Sequence, residues 1–575
     1  MGNAMPDGST INPFTTADQM TLANVLERID SDESLSTQRR RNICSALRAL
    51  GSLMERDLSY LPANPKFYRK MFKGLHPEHC GLSKSRIANI KSDVLFALKF
   101  VGCINGARSY MAPFSDDWQV LWEKAACAGR LRLYVSRLLH FCSARGISPD
   151  DVDDVVSEQL LQALIDESLV NDPIRTYKGI LRIWNKLVDQ VPGWPQTILT
   201  ITNDRDDYTI PLDQFPQSFR DEVDAMVSRW TGKDILDDFG PDKPLAPRTI
   251  ETRLYRLRQI VTGLVHSGYD IDTITSMRIV VDIESAKAAL RYHLDRAGGQ
   301  TTAQVQDLAV LIKTLAKHWV MVDEKHLNAL KGLCTKVRPD TEGLTPKNRD
   351  RLRQFDDSRN VWLLLNFPTA EFEAAIKADQ GRRLDAVRVQ VALAVAILLM
   401  MPVRAANLVG LHMERHIQRT RSGNKGVVHI VIPGHEVKNR EDLEFELPAE
   451  LVRLLDLYLR DFHPRLNDEP SPWLFPGREP GKHKAIMTLG EQVKKQVFKT
   501  TGLHVNLHLF RHICAKLYLD RMPGGYEVVR RLLGHRTSET TIRFYAGMEG
   551  KSASRHYDDV ILQLRKDLQN QPRLR

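Results

Sequence analysis

The segment 504–545 reads HVNLHLFRHICAKLYLDRMPGGYEVVRRLLGHRTSETTIRFY, and it holds most of the residues that indicate chemistry in this chain. Its first motif places His508 three residues before Arg511. Its second motif is a leucine and a glycine followed by His535, and Tyr545 comes ten residues after that histidine. Two imidazoles, a guanidinium and a phenol in one short segment predict a site that transfers a negatively charged group.

Arg404 provides a second guanidinium, upstream in LLMMPVRAANLVGLH. A phosphodiester in transfer gathers negative charge on its non-bridging oxygens, and the planar fork of an arginine matches that charge. A phenol with a pKa of about 10 is a weak nucleophile at neutral pH, so Tyr545 needs a base, which a histidine can supply. The leaving oxygen also needs an acid. The set indicates cleavage of a phosphodiester by a protein hydroxyl without a metal.

Two stretches predict how these residues are held. GVVHIVIPGHEVKNREDLEFELP at 426–448 alternates apolar and polar residues around a polar turn, which predicts two antiparallel strands with Lys438 in the turn. RRLDAVRVQVALAVAILLMM at 382–401 predicts a buried central helix whose end delivers the upstream arginine. We also predict one helix that carries His508 and Arg511 on the same face, because residues three apart are neighbours on a helix.

An arginine box, a lysine in a hairpin turn, His-x-x-Arg, Leu-Gly-His and a downstream tyrosine occur here in that order. This pattern resembles the tyrosine recombinases of the phage integrase family, over roughly residues 340–560. The resemblance implies that Tyr545 forms a 3′-phosphotyrosyl bond and leaves a free 5′ hydroxyl. It implies phosphate binding by Arg404 and Arg511, a further donor in His535, a general base in His508 and a general acid in Lys438.

Two positions depart from the family pattern. Asn407 stands three residues after Arg404, where an acidic residue is usual, and its amide can orient neighbours but supplies no charge. Pro402 stands where glycine is frequent. Neither change removes a residue that does covalent chemistry, and both bear on how Arg404 is positioned. For Arg404 taken alone, the alternative is a buried arginine paired with a carboxylate.

Other residues offer rival assignments. Tyr557 is the main alternative to Tyr545 as the nucleophile, and Tyr518 and Tyr526 are further candidates. The spacing of four between His504, His508 and His512 would suit zinc. Because no carboxylate or cysteine joins them, we predict no metal site and no cofactor.

The bulk composition is that of an ordinary soluble protein, with 575 residues, 42% hydrophobic and 26% charged. The net charge of +10 suits a protein that lies along a phosphate backbone. No apolar run has the length of a membrane span, and MGNAMPDGSTINPFTTADQM at the amino terminus lacks the pattern of a signal peptide. Seven scattered cysteines without a C-x-x-C pair fit a reducing compartment. We expect a cytoplasmic protein that associates with the bacterial nucleoid when it is bound to DNA.

We predict a mainly α multidomain protein, in which helical DNA-binding modules precede a mixed α/β catalytic domain that is mostly helical with a small antiparallel sheet. Three amino-terminal segments each show a polar start and two amphipathic helices. A charged stretch with proline and glycine at 335–355 marks the start of the catalytic domain. The predicted parts are a flexible tail at 1–18, a helical module for an arm site or a protein at 19–110, a second module at 111–198, a core-binding-like domain at 199–340, and the catalytic domain with a C-terminal tail helix at 341–575.

The resemblance implies a site-specific recombinase or integrase that acts on double-stranded DNA carrying recombination sites, to integrate or excise a mobile genetic element. It implies a homotetramer on two duplexes, without ATP, and leaves open partner recombinases or directionality factors. A type IB topoisomerase-like enzyme would use the same chemistry on one duplex. A third alternative is a catalytically silent DNA-binding accessory protein, for which Asn407 is the only sequence hint.

Overall fold

The computed structural model describes residues 20–104, 114–201, 209–232, 244–339, 343–378, 381–422, 425–545 and 550–569. These residues are mostly α-helical and include one three-stranded antiparallel sheet, which confirms the predicted fold class. The predicted tail at 1–18 lies outside them. The chain divides into two compact units. The first unit comprises Met1–Thr202 and Gln354–Arg511, and the second comprises Asn203–Arg353 and His512–Arg575.

The amino-terminal part of the first unit is a small helical bundle. Its helices are Leu22–Asp30, Thr37–Met54, Pro65–Gly74, Pro77–Cys80 and Lys84–Phe100. Val25, Leu47 and Val94 are fully buried and form its core with Tyr68. The Tyr68 hydroxyl donates to the carbonyl of Pro62 at 2.7 Å, which satisfies the one polar group of this buried side chain. The bundle therefore has an apolar core of its own.

A second helical group follows in the same unit. Its helices are Asp116–Lys124, Arg132–Arg145, Asp154–Asp166 and Pro173–Gln190. Trp118, Trp184 and Trp194 are almost fully buried and lie in one cluster. The Trp118 indole donates to the carbonyl of Ile147 at 2.8 Å, and the Trp184 indole donates to that of Thr197 at 2.9 Å. These bonds fix the connecting segments to the helices, because a buried indole N–H needs an acceptor.

The first bundle packs on the end of a helix from the later part of the same unit. His76 Nε2 lies 3.2 Å from the carbonyl oxygen of Lys499, and His79 Nε2 lies 3.0 Å from that of Thr501. The last carbonyls of a helix lack partners within it, and the imidazoles occupy that place. Gly502 ends the helix with φ +76°, and a Cβ there would stand 2.5 Å from the His79 ring. Only glycine meets both the backbone conformation and the close approach.

The sheet of the first unit has the order β1-β2-β3, with β1 at Ile417–Ser422, β2 at Lys425–Ile432 and β3 at Leu443–Glu446. Both pairs of neighbours are antiparallel. The prediction of two strands within 426–448 is therefore correct for β2 and β3 but misses β1. The sequence of β1 is mostly polar, and Gln418, Arg419 and Thr420 are exposed, as suits an edge strand. The strand therefore lacks the apolar alternation that marks the other two.

The later part of the first unit contains further helices, one of which is buried. They are Ser358–Lys377, Arg383–Met400, Ala405–Val409, Met413–His416, Ala449–Leu457 and Ile486–Thr501. Arg383–Met400 is buried along most of its length, as the continuous apolar run predicts. It ends four residues before Arg404, so the packing of this helix sets where that arginine emerges.

The second unit begins with a larger helical bundle. Its helices are Gln217–Trp230, Pro247–His266, Met277–Val281, Ile283–Arg296, Ala303–Leu315, Glu324–Lys336 and Pro346–Leu352. Gly263 lets the helices Pro247–His266 and Ile283–Arg296 approach closely, because a Cβ there would stand 3.2 Å from the carbonyl oxygen of Ala289. Beside it, His293 Nε2 lies 3.0 Å from the carbonyl oxygen of Gln259, so this buried imidazole has a partner in the same crossing.

The carboxyl-terminal helices follow. They are Leu509–Arg521, which begins in the first unit, and Tyr526–Leu533, Ser538–Tyr545 and Gly550–Gln569 in the second. A small apolar cluster of Ala515, Leu519, Val529, Leu533 and Tyr545 holds the middle ones together. On the last helix Val560, Ile561 and Leu564 are exposed. None of the helices in the described residues is both long enough and apolar enough to cross a membrane.

Candidate active site

Arg404 lies in the turn between the buried helix Arg383–Met400 and the short helix Ala405–Val409. Its guanidinium is half-buried, and this desolvation lowers its pKa. Nη2 donates to Asn439 Oδ1 at 3.1 Å. Among the residues that the structure describes, no carboxylate pairs with Arg404, so the alternative of a structural arginine–carboxylate pair gains no support. A half-buried cation whose partner is a neutral amide keeps its charge for an anion.

Asn407 performs a task that an acidic residue could not. Its Nδ2 donates to the carbonyl oxygen of Glu436 at 3.0 Å, and the Asn407 side chain is buried. The Glu436 carboxylate in turn lies 3.3 Å from Arg415 Nη1 and 3.3 Å from His416 Nε2. The amide therefore ties the arginine box to the turn that follows β2. A carboxylate at this position would have no proton to donate.

Lys438 lies in that turn, between β2 and β3, and its side chain is exposed. The turn closes tightly, since a Cβ on Gly434 would stand 2.7 Å from the carbonyl oxygen of Arg440. Asp442 Oδ1 accepts a hydrogen bond from the Gly434 amide at 2.6 Å. Residues on both sides of Lys438 bond to the arginine box: the Glu436 carbonyl accepts from Asn407, and Asn439 accepts from Arg404. The backbone under the lysine is thus fixed, although the side chain extends into solvent.

Arg511 lies in the first turn of the helix Leu509–Arg521, and His508 directly precedes that helix. The Arg511 side chain is buried, and its Nη1 donates to the carbonyl oxygen of Pro402 at 2.7 Å. Pro402, which departs from the family pattern, therefore connects this arginine to the segment that carries Arg404. The prediction that both motif residues are helical is wrong for His508, which lies in the turn just before the helix.

The surroundings of His508 favour its neutral form. Its imidazole is open to solvent on one side, and the protein around it desolvates the rest. That desolvation, followed by the positive charges of Arg511 and Arg404, lowers the pKa of His508 below its ordinary value. The three residues are therefore close enough to interact, and a neutral imidazole at neutral pH can accept a proton.

Tyr545 is held in the second unit by a residue that the sequence did not assign to it. The side chain is 1% exposed, and its Oη lies 2.7 Å from His512 Nδ1. Both rings are buried beside Phe544. His512 immediately follows Arg511, so one helix carries the phosphate-binding candidate and the partner of the phenol.

His535 is positioned by its own motif. The helix Tyr526–Leu533 ends at Gly534, whose φ of +59° turns the chain and places the histidine outside the helix. His535 Nδ1 then lies 2.9 Å from Thr541 Oγ1, and its carbonyl oxygen accepts from Arg530 Nη1 at 2.9 Å. The ring is half-buried with its Nδ1 occupied. The Leu-Gly-His motif is thus the end of a helix, and it fixes the position of the His535 imidazole.

The predicted residues are divided between the two units. Arg404, Lys438, His508 and Arg511 lie in the first unit. Hydrogen bonds join Arg404 to Asn439, the residue after Lys438, and Arg511 to Pro402, and both arginines affect the pKa of His508. His535 and Tyr545 lie in the second unit, each with its own local partner. Tyr557, the alternative nucleophile, is on the last helix and is 65% exposed.

Sequence reasoning missed His512 as the partner of Tyr545, and it missed the anchors Asn439 and Pro402. The histidine and the tyrosine are separated by 33 residues, and no local pattern reports such a contact. It also missed Lys484, a buried lysine that donates to Gln390 Oε1 and to Gln492 Oε1, the latter at 3.1 Å. Across the described residues no three His, Cys, Asp or Glu side chains form a group that could hold a metal ion.

Several solved structures are similar to part of this chain. Solved structures similar to the chain include XerA recombinase, at 17% identity and a TM-score of 0.22, covering 59% of this chain and 98% of that one. XerH site-specific recombinase bound to a difH substrate in a pre-cleavage complex is 13% identical, with a TM-score of 0.28, covering 56% of this chain and 88% of that one. The Tn1549 transposon integrase in complex with transposon right end DNA is 16% identical, with a TM-score of 0.34, covering 58% of this chain and 99% of that one.

None of the curated proteins compared with the chain matches it. The model of the phage integrase family matches residues 367–550. That range contains all six predicted site residues, from Arg404 to Tyr545. The chain therefore carries a domain of the phage integrase family at residues 367–550, as its motifs indicated.

Proposed function

We propose that the protein is a site-specific DNA recombinase that cuts and rejoins strands through a phosphotyrosyl intermediate. The observation that carries the proposal is the convergence of Arg404 and Arg511 on one segment. The Arg511 guanidinium donates to the carbonyl of Pro402, two residues before Arg404. The charges of both guanidinium groups lower the pKa of His508. Two partly desolvated cations beside a neutral imidazole suit a phosphodiester in transfer.

The proposed reaction needs no external energy source. Tyr545 Oη attacks the phosphorus and forms the 3′-phosphotyrosyl bond as the bond to the 5′ oxygen breaks. The phenolic proton passes to His508, and Lys438 protonates the leaving oxygen to give a free 5′ hydroxyl. Arg404, Arg511 and His535 bind the non-bridging oxygens. Attack by a 5′ hydroxyl of another strand reverses these steps and releases the tyrosine.

The buried position of Tyr545 adds a step before chemistry. With 1% of its surface exposed and its hydroxyl bound to His512, the phenol faces the protein interior in this conformation. Attack on DNA therefore requires the tyrosine to leave its pocket. Separating such a bond costs about 1 kcal/mol, apart from the apolar contacts, so DNA binding or assembly must supply that free energy.

The partners follow from the family resemblance. We propose double-stranded DNA with recombination sites as the substrate, a homotetramer on two duplexes as the active assembly, and integration or excision of a mobile element in the bacterial cytoplasm as the role. Val560, Ile561 and Leu564 on the last helix are exposed and supply an apolar face of the kind that a neighbouring protomer would cover.

The test is formation of a covalent protein–DNA adduct on a nicked duplex. The duplex carries the DNA ends of the mobile element that lies next to the gene for this protein. Wild type, Tyr545→Phe and Tyr557→Phe are incubated in EDTA and resolved on denaturing gels. We expect the adduct in wild type and in Tyr557→Phe, and none in Tyr545→Phe. An adduct in wild type and Tyr545→Phe that is absent from Tyr557→Phe would assign the nucleophile to Tyr557. Adducts that form without EDTA and are lost in its presence would refute metal-independent cleavage.

The burial of Tyr545 is also the observation that favours a silent DNA-binding protein. Under that alternative the wild type binds the duplex tightly and yields no adduct in any assembly. A topoisomerase-like activity is distinguished in the same experiment by a supercoiled plasmid without the element ends, since only that activity would relax it.

A further inference from the structure

A cavity of about 500 Å³ lies within the second unit. Its walls come from the helices Ala303–Leu315 and Glu324–Lys336 and from Arg543, on the helix that ends at Tyr545. The volume is in the range of sites that hold small organic ligands. This volume is far larger than that of a cavity that holds a single water molecule.

The cavity is lined by positive charge. Lys313, Lys331, Arg338 and Arg543 all contribute to its walls, and Gln306 and Thr335 add neutral polar groups. None of the described residues that line it carries a carboxylate. Cations gathered around one space repel each other, and that repulsion is relieved when an anion enters. The donors available, ammonium, guanidinium, amide and hydroxyl, are those that bind phosphate oxygens.

The cavity is mechanically connected to the helix of the proposed nucleophile. Arg543 stands two residues before Tyr545 and lines the cavity. The segment that follows the lysine-bearing helix touches the same residue, because a Cβ on Gly343 would stand 2.9 Å from the carbonyl oxygen of Arg543. An anion bound between the lysines and Arg543 would therefore hold the helix Ser538–Tyr545 in the position that buries the tyrosine.

We propose that this cavity is a binding site for phosphate groups, and that its occupation stabilises the helix Ser538–Tyr545 in its packed position. The phosphate is that of a DNA backbone or of a free phosphorylated ligand, and the site chemistry is the same for both. The inference goes beyond strand cleavage and does not depend on it, since it concerns equilibrium binding in the absence of any recombination substrate.

The test uses pyrophosphate as the probe and the full chain at constant ionic strength, with the dissociation constant measured by calorimetry. Replacing two charged donors in Lys313→Gln/Lys331→Gln should weaken binding by about tenfold or more. The matched control is Lys317→Gln/Lys336→Gln, which removes the same charge from residues that do not line the cavity. Equal affinity in wild type and Lys313→Gln/Lys331→Gln, or equal losses in both double variants, would overturn the site.

The acidic residues Asp340 and Glu342 follow the cavity-lining Pro339 in the sequence and lie outside the described residues. Asp340→Asn/Glu342→Gln is therefore measured beside the wild type, in case these carboxylates compete with the probe. Absence of pyrophosphate binding in both proteins would refute the proposal. Binding in either supports it. Displacement of the probe by a short duplex of random sequence would then assign the phosphate to a DNA backbone, and no displacement would assign it to a free ligand.

The effect on the helix is read by amide hydrogen exchange. Saturating pyrophosphate should slow exchange across Ser538–Tyr545 in wild type and leave it unchanged in Lys313→Gln/Lys331→Gln. Binding without a change in exchange would overturn the stabilising role. These measurements involve no cleavage, so their failure is distinguishable from failure of the proposed recombinase activity.

Discussion

His512 Nδ1 and Tyr545 Oη lie 2.7 Å apart, both in buried side chains of the second unit. The hydrogen bond joins the helix Leu509–Arg521 to the end of the helix Ser538–Tyr545. His512 directly follows Arg511 in the chain, so the proposed nucleophile is hydrogen-bonded to the residue next to a phosphate-binding candidate. The pair therefore defines a resting position for the tyrosine.

We expect this bond to contribute about 1 kcal/mol to the free energy of unfolding. A double-mutant cycle of His512→Phe and Tyr545→Phe, measured by urea denaturation, should show a coupling energy of that size. His512→Phe combined with Tyr557→Phe is the control, because Tyr557 is exposed. Additivity of the first pair within about 0.3 kcal/mol would contradict a stabilising bond.

Asn407→Asp restores the acidic residue that is usual in the family, yet we expect it to destabilise this protein. The new carboxylate would be buried at this position, could not donate to the Glu436 carbonyl and would leave both groups without this bond. The expected loss is about 1–3 kcal/mol in the free energy of unfolding. Asn439→Asp is the matched control, since it keeps the oxygen that accepts from Arg404. Equal or higher stability of Asn407→Asp would show that the bond to Glu436 is dispensable.

The rate of adduct formation should depend on the neutral form of His508. Desolvation and the charges of Arg511 and Arg404 lower the pKa of His508 below 6.5, so fewer than half of the rings carry a proton at pH 6.5 and fewer still above it. Single-turnover rates should therefore be constant near neutral pH and fall on the acid side of pH 6.5. His508→Gln should lose this acid limb along with most of the rate, and His435→Gln, an exposed neighbour of the Lys438 turn, should retain both. An acid limb centred above pH 6.5 would rule out this assignment.

Lys484 should make stability rise with pH in an alkaline range. Burial, then the charges of Arg383 and Arg478, lowers the pKa of Lys484 from 10.5 to about 8. Between these values the unfolded chain holds the proton and the folded chain does not, so the free energy of unfolding rises with pH. The rise relative to Lys484→Met should be on the order of 3 kcal/mol between pH 8 and 10.5.

The control for that measurement is Lys482→Met. Lys482 is exposed and bound to Glu479, and its pKa is raised, so its contribution has the opposite sign and is lost as pH rises. Parallel pH profiles for wild type and Lys484→Met would show that Lys484 is not desolvated as described.

Gly343→Ala should loosen the contact between the cavity-lining segment and the helix Ser538–Tyr545. Gly343 has φ +80°, and its Cβ would stand 2.9 Å from a backbone oxygen, so the substitution carries both conformational strain and a clash. Gly381→Ala isolates the first effect, because Gly381 has φ +69° and open space around it. We expect about 1–2 kcal/mol of destabilisation in the control and a larger loss in Gly343→Ala. Equal losses would mean that the contact yields easily.

The parts of the site that could be predicted are those set by local sequence. Gly534 ends a helix because glycine accepts positive φ, so Leu-Gly-His identifies both the helix end and the position of His535. The alternation around Lys438 identifies two strands and their turn because side chains in a strand point to opposite faces. The buried helix before Arg404 follows from an unbroken apolar run.

The parts that could not be predicted depend on contacts between distant segments. Nothing near Arg511 indicates that it binds the carbonyl of Pro402, and nothing near Tyr545 indicates His512. The edge strand β1 could not be predicted because its mostly polar residues do not alternate with apolar ones. The spacing of His508 and Arg511 predicts a helix at both residues, because spacing alone does not distinguish the first turn of a helix from the turn that precedes it.

The contact of His76 and His79 with the end of the helix Ile486–Thr501 has a consequence for how this protein can be divided. A fragment that begins at Gln354 would lose both imidazoles and leave the carbonyls of Lys499 and Thr501 to solvent. The amino-terminal bundle therefore stabilises a helix end in the later part of the first unit. Fragment boundaries drawn from domain order alone would cut through a folded body, and a usable fragment has to retain the amino-terminal bundle.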